Sequence, residues 1–195
     1  MHGLINRGIQ RFVIDSYGEA NWNTAMRQAG LDFTDFEAMW TYDDAVTSLV
    51  LAAVCDVLDR PYDDLLEDIG TYLVSHANVE AVRRLMRFSG VTFVEFLHSL
   101  DDLPDRARLA VSDLDLPRLE LREGGPQNYT LRCYSKHEGW GFFFMGVLRV
   151  MSDDYGVLAY LEHKGRVADC EILEISLLET EFSDGRRFEL GAMSA

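Results

Sequence analysis

As far as Leu103, apolar residues recur at three- to four-residue spacing, and beyond Pro117 they begin to alternate with polar ones. A period near 3.6 stacks side chains along one face of a helix, whereas a period of two sends them to opposite faces of a strand. The chain is therefore built as grouped helices followed by strands. Leu4, Ile5, Ile9, Phe12 and Val13 form the stripe of a first helix that stops near Tyr17-Gly18. A second covers about 21–28 and is ended by Gly30. Asp43 or Asp44 caps a third, with Val46, Leu49, Val50, Ala53, Val54 and Val57 facing inward. Pro61 opens a fourth, whose early acids Asp63, Asp64 and Glu67 suit the positive end of a helix dipole. Asn78 caps a fifth, stopped by Gly90. Thr92 caps a sixth that carries Phe93, Phe96, Leu97, Leu100 and Leu103 and ends before Pro104, because the residue before a proline is pushed out of the helical region.

After Pro117, Leu119 and Leu121 alternate with Arg118, Glu120 and Arg122. Glu123-Gly124-Gly125-Pro126 reads as a hairpin turn, and 128–134 pairs back as the second strand. A strongly apolar helix over 141–155 ends at Gly156. Two further strands, 157–162 and 170–178, are joined by a turn at His163-Lys164-Gly165, and a polar tail follows Phe182. Helices grouped ahead of an antiparallel sheet with one long helix imply an α+β fold. We expect one domain, with a helical part over about 1–113 and a sheet-bearing part over 114–195.

Charge narrows the function. The 195 residues carry a formal net charge of −15, with no run of Lys or Arg. That argues against nucleic acid and against an anionic membrane surface as partners. Arg83, Arg84 and Arg87 sit at helical spacing and read as a solvated helix face. Three well-separated cysteines, Cys55, Cys133 and Cys170, make no disulfide framework and suit a reducing cytoplasm. The N-terminal residues lack the apolar stretch of a signal peptide, and no apolar run reaches membrane-spanning length.

The polar cluster in CYSKHEGWGFFFMG, 133–146, is the one place where reactive groups gather. Cys133, Ser135 and His137 alternate, so on a strand all three point to one side. A Cys–His nucleophile needs an activated thiolate and an orienting third group, and spacing alone supplies neither. A zinc site needs three or four ligands, and only two are local. His98 lies beside the apolar stripe of the sixth helix, and His2, His76 and His163 are isolated. No nucleophile-elbow, metalloprotease, phosphate-loop or dinucleotide motif occurs, so the chain does not read as an enzyme.

The opening MHGLINRGIQRFVIDSYG resembles the start of the H-NOX (haem nitric oxide/oxygen-binding) domain. So do LLEDIGTYLV at 65–74, SGVTFVEFLHSLDDL at 89–103, LDLPRLEL at 114–121 and LRCYSKHEGWGFFFMGVLRVMSDDYG at 131–156, in the family's order over nearly the whole chain. The resemblance implies a helical part and an α/β part that hold haem b between them. It implies sensing of nitric oxide or oxygen, and a signalling partner such as a histidine kinase or a cyclic-di-GMP enzyme. It also implies two haem-holding motifs: a proximal histidine in a pattern like L-D-x-L-H, and Y-x-S-x-R on the propionates. Both depart here. Pro104 stands at the proximal-ligand position and offers iron no lone pair, and the second motif reads Cys133, Ser135 and His137, with only the serine kept. Imidazole, largely neutral near pH 7, cannot reproduce the guanidinium fork. His98 precedes Pro104 by six residues, about 240° around the helix, and faces away from the old ligand direction; His76 is the other weak candidate ligand. If a pocket persists, for haem held unusually or for another tetrapyrrole or hydrophobic ligand, Ile5, Ile9, Leu73, Leu97, Leu100 and Phe144 line it. If the chain is a ligand-free adaptor, large side chains such as Trp140, Phe142, Phe143 or Met145 fill that space.

Overall fold

A computed structural model describes residues 1–87, 89–180, 182, 183 and 185. Among them eight α-helices and four strands follow in chain order: α1 Gly3–Tyr17, α2 Glu19–Gln28, α3 Asp44–Leu58, α4 Tyr62–Ser75, a 3₁₀ turn Ala77–Val79, α5 Glu80–Arg87, α6 Phe93–His98 and α7 Leu103–Ala110. Then come β1 Arg118–Gly125, β2 Asn128–Tyr134, α8 Trp140–Tyr155, β3 Leu158–Val167 and β4 Cys170–Glu179. The strands form one antiparallel sheet in the order β1-β2-β4-β3. The architecture is the α+β arrangement that the change of period implies. No helix among the described residues is long and apolar enough to cross a membrane. Most of the tail after Phe182 lies outside the described residues.

Local chemistry explains most boundaries. Asp43 caps α3 by accepting from the Ala45 amide, and Thr92 and Glu95 form a reciprocal capping box at α6. Gly156 ends α8 in the left-handed region that glycine enters without strain. The hairpin turn expected at 123–126 falls at 126–127, because β1 pairs as far as Gly125, and two further boundaries need correction. The sixth helix ends at His98, five residues early, because Ser99 Oγ donates back to the Phe96 carbonyl and Arg106 Nη2 takes the Ser99 carbonyl. Pro104 then opens α7, where its missing N–H costs nothing. The turn placed at 163–165 is instead a bulge inside β3, with Gly165 at φ 90°; the chain reverses at Ala168-Asp169.

Two hydrophobic cores result. One gathers α1 to α4 around Phe12, Trp22, Met26, Val54 and Leu65. The other sits between α8 and the sheet, and draws in Phe93, Phe96, Leu97 and Leu100 from the α6 region. They meet where α4 crosses α8. A Cβ on Gly70 would lie 2.0 Å from the Phe143 carbonyl oxygen, and one on Gly146 would lie 2.0 Å from that of Glu67. The helix backbones therefore touch, and each glycine makes room for the other helix. Further out, Arg83 of α5 makes a two-pronged ion pair with the buried Asp154 of α8, and the Arg87 guanidinium lies 3.5 Å from the Tyr155 ring centre. Those two arginines fasten α5 to α8; they do not form a solvated face.

Candidate functional site

β2 delivers the Cys133–His137 cluster to the start of α8, but it does not deliver it as one face. The strand ends at Tyr134. Cys133, 1% exposed, points into the sheet core. Burial, reinforced by the Glu171 and Cys170 charges, pushes its thiol far above the usual value. A nucleophilic thiol needs access and a lowered pKa, and Cys133 has neither. Beyond the strand, the Ser135 N–H donates to the Asp169 carbonyl (2.8 Å), and Ser135 Oγ accepts from the His137 N–H (3.0 Å). That turn sends His137 away from Cys133 and toward α3, where its Nε2 lies 3.4 Å from Asp44 Oδ2. Lys136 Nζ donates to the same oxygen at 2.8 Å, and the Met1 amino group reaches Oδ1. Asp44 is held well below the carboxylate range, chiefly by the Lys136 hydrogen bond. His137 is lowered by burial, against the opposing pull of Asp44, so it is mostly neutral at pH 7.

The corner contains a group that the motifs did not reveal. Glu171 of β4, 3% exposed, accepts from the Gly139 amide at 2.6 Å and the Gly141 amide at 2.7 Å, so it caps the amino end of α8. His163 Nε2 and Arg166 Nη1 each approach it at 3.3 Å, and the Phe142 ring stacks on His163 with centres 4.1 Å apart. The signal was present in the sequence. Glu171 is in phase with the inward-facing Leu173, Ile175 and Leu177, and an acid at an inward strand position requires partners.

At the far end of the same core, Pro104 is buried in the first turn of α7. His98, the last residue of α6, is half-exposed and pairs with Glu123 at 3.1 Å. His76 follows α4, near Asp15 (3.9 Å), and lines an open groove of about 290 Å³ between α1 and α4 with Phe12, Tyr17 and Tyr72. Neither histidine lies in the core that holds Leu97 and Leu100. Among the described residues no three His, Cys, Asp or Glu side chains gather as metal ligands would. The residues assigned to a pocket separate. Ile5 and Ile9 belong with the helical core; Leu97, Leu100 and Phe144 belong with the sheet core. Leu73 is partly buried. Leu97 and Leu100 expose 0% of their surface, so no water-sized space lies against them. The Trp140, Phe143 and Phe144 rings pack together at 5.3–6.3 Å, Phe142 and Phe143 touch both cores, and Met145 is buried in the sheet core. Proline stands at the position to which the resemblance assigns an axial imidazole, and Leu97 and Leu100 on the preceding segment are fully buried.

Comparison with known proteins agrees with the architecture. The sequence profile of the family described as Haem-NO-binding matches residues 2–162. Soluble guanylate cyclase gcy-31 of Caenorhabditis elegans is 26% identical over 154 residues, which is 79% of this chain and 22% of that protein; soluble guanylate cyclase 89Db of Drosophila melanogaster is 19% identical over 80% of this chain and 24% of its own length. The chain thus spans less than a quarter of these curated relatives. Among solved structures, the unliganded Fe(II) form of a mutant H-NOX protein from K. algicida superposes with a TM-score of 0.79 at 19% identity, covering 92% of this chain and 97% of that one. The Fe(II)NO form of an H-NOX protein from S. oneidensis gives 0.76 at 18% identity, over 92% of this chain and all of that one. At such identities these structures show a shared fold.

Proposed function

Because the chain belongs to the Haem-NO-binding (H-NOX) family, we propose that it is a sensory or regulatory domain that controls a signalling partner without the family's usual iron ligation. The observation that carries this reading is Pro104. It stands buried where the resemblance assigns the proximal histidine, and His98 and His76 make their ion-pair contacts elsewhere, with Glu123 and Asp15. The partner is a protein whose output follows the shape of this domain: a histidine kinase or a cyclic-di-GMP enzyme by the resemblance, or a cyclase region such as the names of the curated relatives suggest. We place it in the cytoplasm. The two halves that change relative position are the helical part, about 1–113, and the sheet-bearing part, 114–195, joined through α4 and α8.

A specific observation favours a ligand-free adaptor over a domain holding another tetrapyrrole: Leu97 and Leu100 leave no space beside them. Ser135, His137 and the Lys136–Asp44 pair then act as a structural corner. The test is an absorption spectrum after expression with added haem, beside a Pro104→His variant. The proposal expects no stoichiometric Soret band in the wild-type protein. A wild-type spectrum of five-coordinate, imidazole-ligated haem would overturn it. A haem-like band without imidazole ligation would remove the adaptor reading and keep the altered-ligation one.

A further inference from the structure

The α2–α3 loop carries Met39 and Trp40, 67% and 65% exposed, and its main chain meets α1 at Gly3, next in sequence to Leu4, itself 40% exposed. Large apolar side chains at a loop apex would need no explanation if the loop were loose, but this one is fastened along its length. The Trp22 indole donates to the Thr34 carbonyl (2.7 Å), Arg7 donates to the Phe36 carbonyl (2.9 Å), and Gln10 accepts from the Phe36 amide (3.1 Å) while donating to Asp35. The Glu37 amide donates to the Tyr42 hydroxyl, and the Gly3 amide to the Trp40 carbonyl at 2.7 Å. The loop lies so close on α1 that a Cβ on Gly3 would meet the Glu37 oxygen at 2.0 Å. Phe36, fully buried, anchors it from beneath. Main-chain atoms and the inner side chains make every one of these contacts; the Met39 and Trp40 side chains project outward.

In sequence the loop and the helix after it carry one sign of charge, while in space Arg7 reaches the Phe36 carbonyl and Lys136 and the Met1 amino group partner Asp44. Between Arg27 and Arg60 the sequence has seven acids, Asp32, Asp35, Glu37, Asp43, Asp44, Asp56 and Asp59, and no Lys or Arg. Glu37 and Asp43 flank the apolar pair in sequence and are exposed. Tryptophan and methionine are enriched where proteins bind proteins, and a loop already fixed loses little entropy on binding. An acidic border selects a basic partner and repels nucleic acid and anionic lipid.

We propose that Leu4, Met39 and Trp40 form a docking site for a partner protein that presents an apolar face bordered by Lys and Arg. This gives a chemistry to the partner of the preceding section and rests on that reading for the partner's role, but its test does not involve haem. The probe is a synthetic amphipathic helix of leucine and lysine, about 18 residues long, titrated calorimetrically at low and at physiological salt. The wild-type chain binds it, and Trp40→Ala weakens binding about tenfold or more. Glu37→Gln with Asp43→Asn weakens it about threefold and flattens its salt dependence. Tyr160→Ala, an exposed aromatic on β3, has no effect. Circular dichroism checks that each variant is folded. Equal binding of wild type and Trp40→Ala, equal binding of a sequence-scrambled peptide, Trp40-dependent binding to phosphatidylcholine vesicles, or Trp40-dependent self-association in the ultracentrifuge would each overturn the proposal. None of these results bears on whether iron is held, so this surface and the proposed function fail separately.

Discussion

The resemblance assigns haem-holding residues to the β2–α8 corner and to the α6–α7 end, and the two regions are built differently. At the corner, charge has found other partners. Asp44 takes Lys136 and lies beside His137, and Glu171 takes two amides of α8. At the α6–α7 end the packing is apolar. Pro104 is packed away, and Leu97 and Leu100 close on the sheet core. The lesson is one of geometric tolerance. Charge-assisted contacts act over a range of distances and angles, so a neighbour of the right sign can take over. An axial ligand must put a lone pair at one point, which is a far stricter demand.

The sharpest break in this comparison lies at the seam that both regions share. Gly146→Ala would drive a methyl group into the α4 backbone, which cannot yield as a flexible side chain would. We expect a loss of about 4 kcal/mol or more, or failure to fold, read by urea denaturation. Second comes the closed apolar end. Leu97→Ala should cost about 2–5 kcal/mol if that end is as tightly packed as its zero exposure implies; a cost under about 1 kcal/mol would indicate slack that a ligand could use. Third is the corner. Glu171→Gln keeps the shape but turns an amide N–H₂ toward one of the two backbone donors, at about 1–3 kcal/mol.

The smallest effect is a pH dependence. His137 is held below its ordinary value of 6.5 by burial, so the unfolded chain takes up the proton first. Its contribution is complete above about pH 6.5 and is lost as pH falls toward the folded value. Asp44, lowered chiefly by Lys136, contributes fully above its ordinary value of 3.8 and loses that contribution at more acidic pH. His137→Asn should flatten the first slope and Asp44→Asn the second. Each changes stability by less than about 1 kcal/mol, because these groups remain partly in water.

What could be read from the sequence was local. Thr92 with Glu95, Asp43, Gly18 and Gly156 carry helix boundaries in their own chemistry, and the structure places those boundaries there. His163-Lys164-Gly165 has the composition of a turn, yet β4 continues to pair across it as a bulge. The ends of α6 and α7 depend on Arg106 reaching Ser99, and the fixing of α5 depends on Asp154, 71 residues from Arg83. Such partners are chosen by the packed fold, and no spacing announces them. The same holds for the corner. Alternation predicted one face for Cys133, Ser135 and His137, but the strand ends at Tyr134 and the turn reverses His137 toward α3.

The account rests on a core that is already complete at the α6–α7 end. Thermal unfolding of the purified chain, recorded with and without equimolar haem, tests this most directly. A ligand bound only by the native state must raise the midpoint. The account predicts coincident curves for the wild-type protein. A rise of several degrees, with a Soret band that persists through gel filtration, would contradict it.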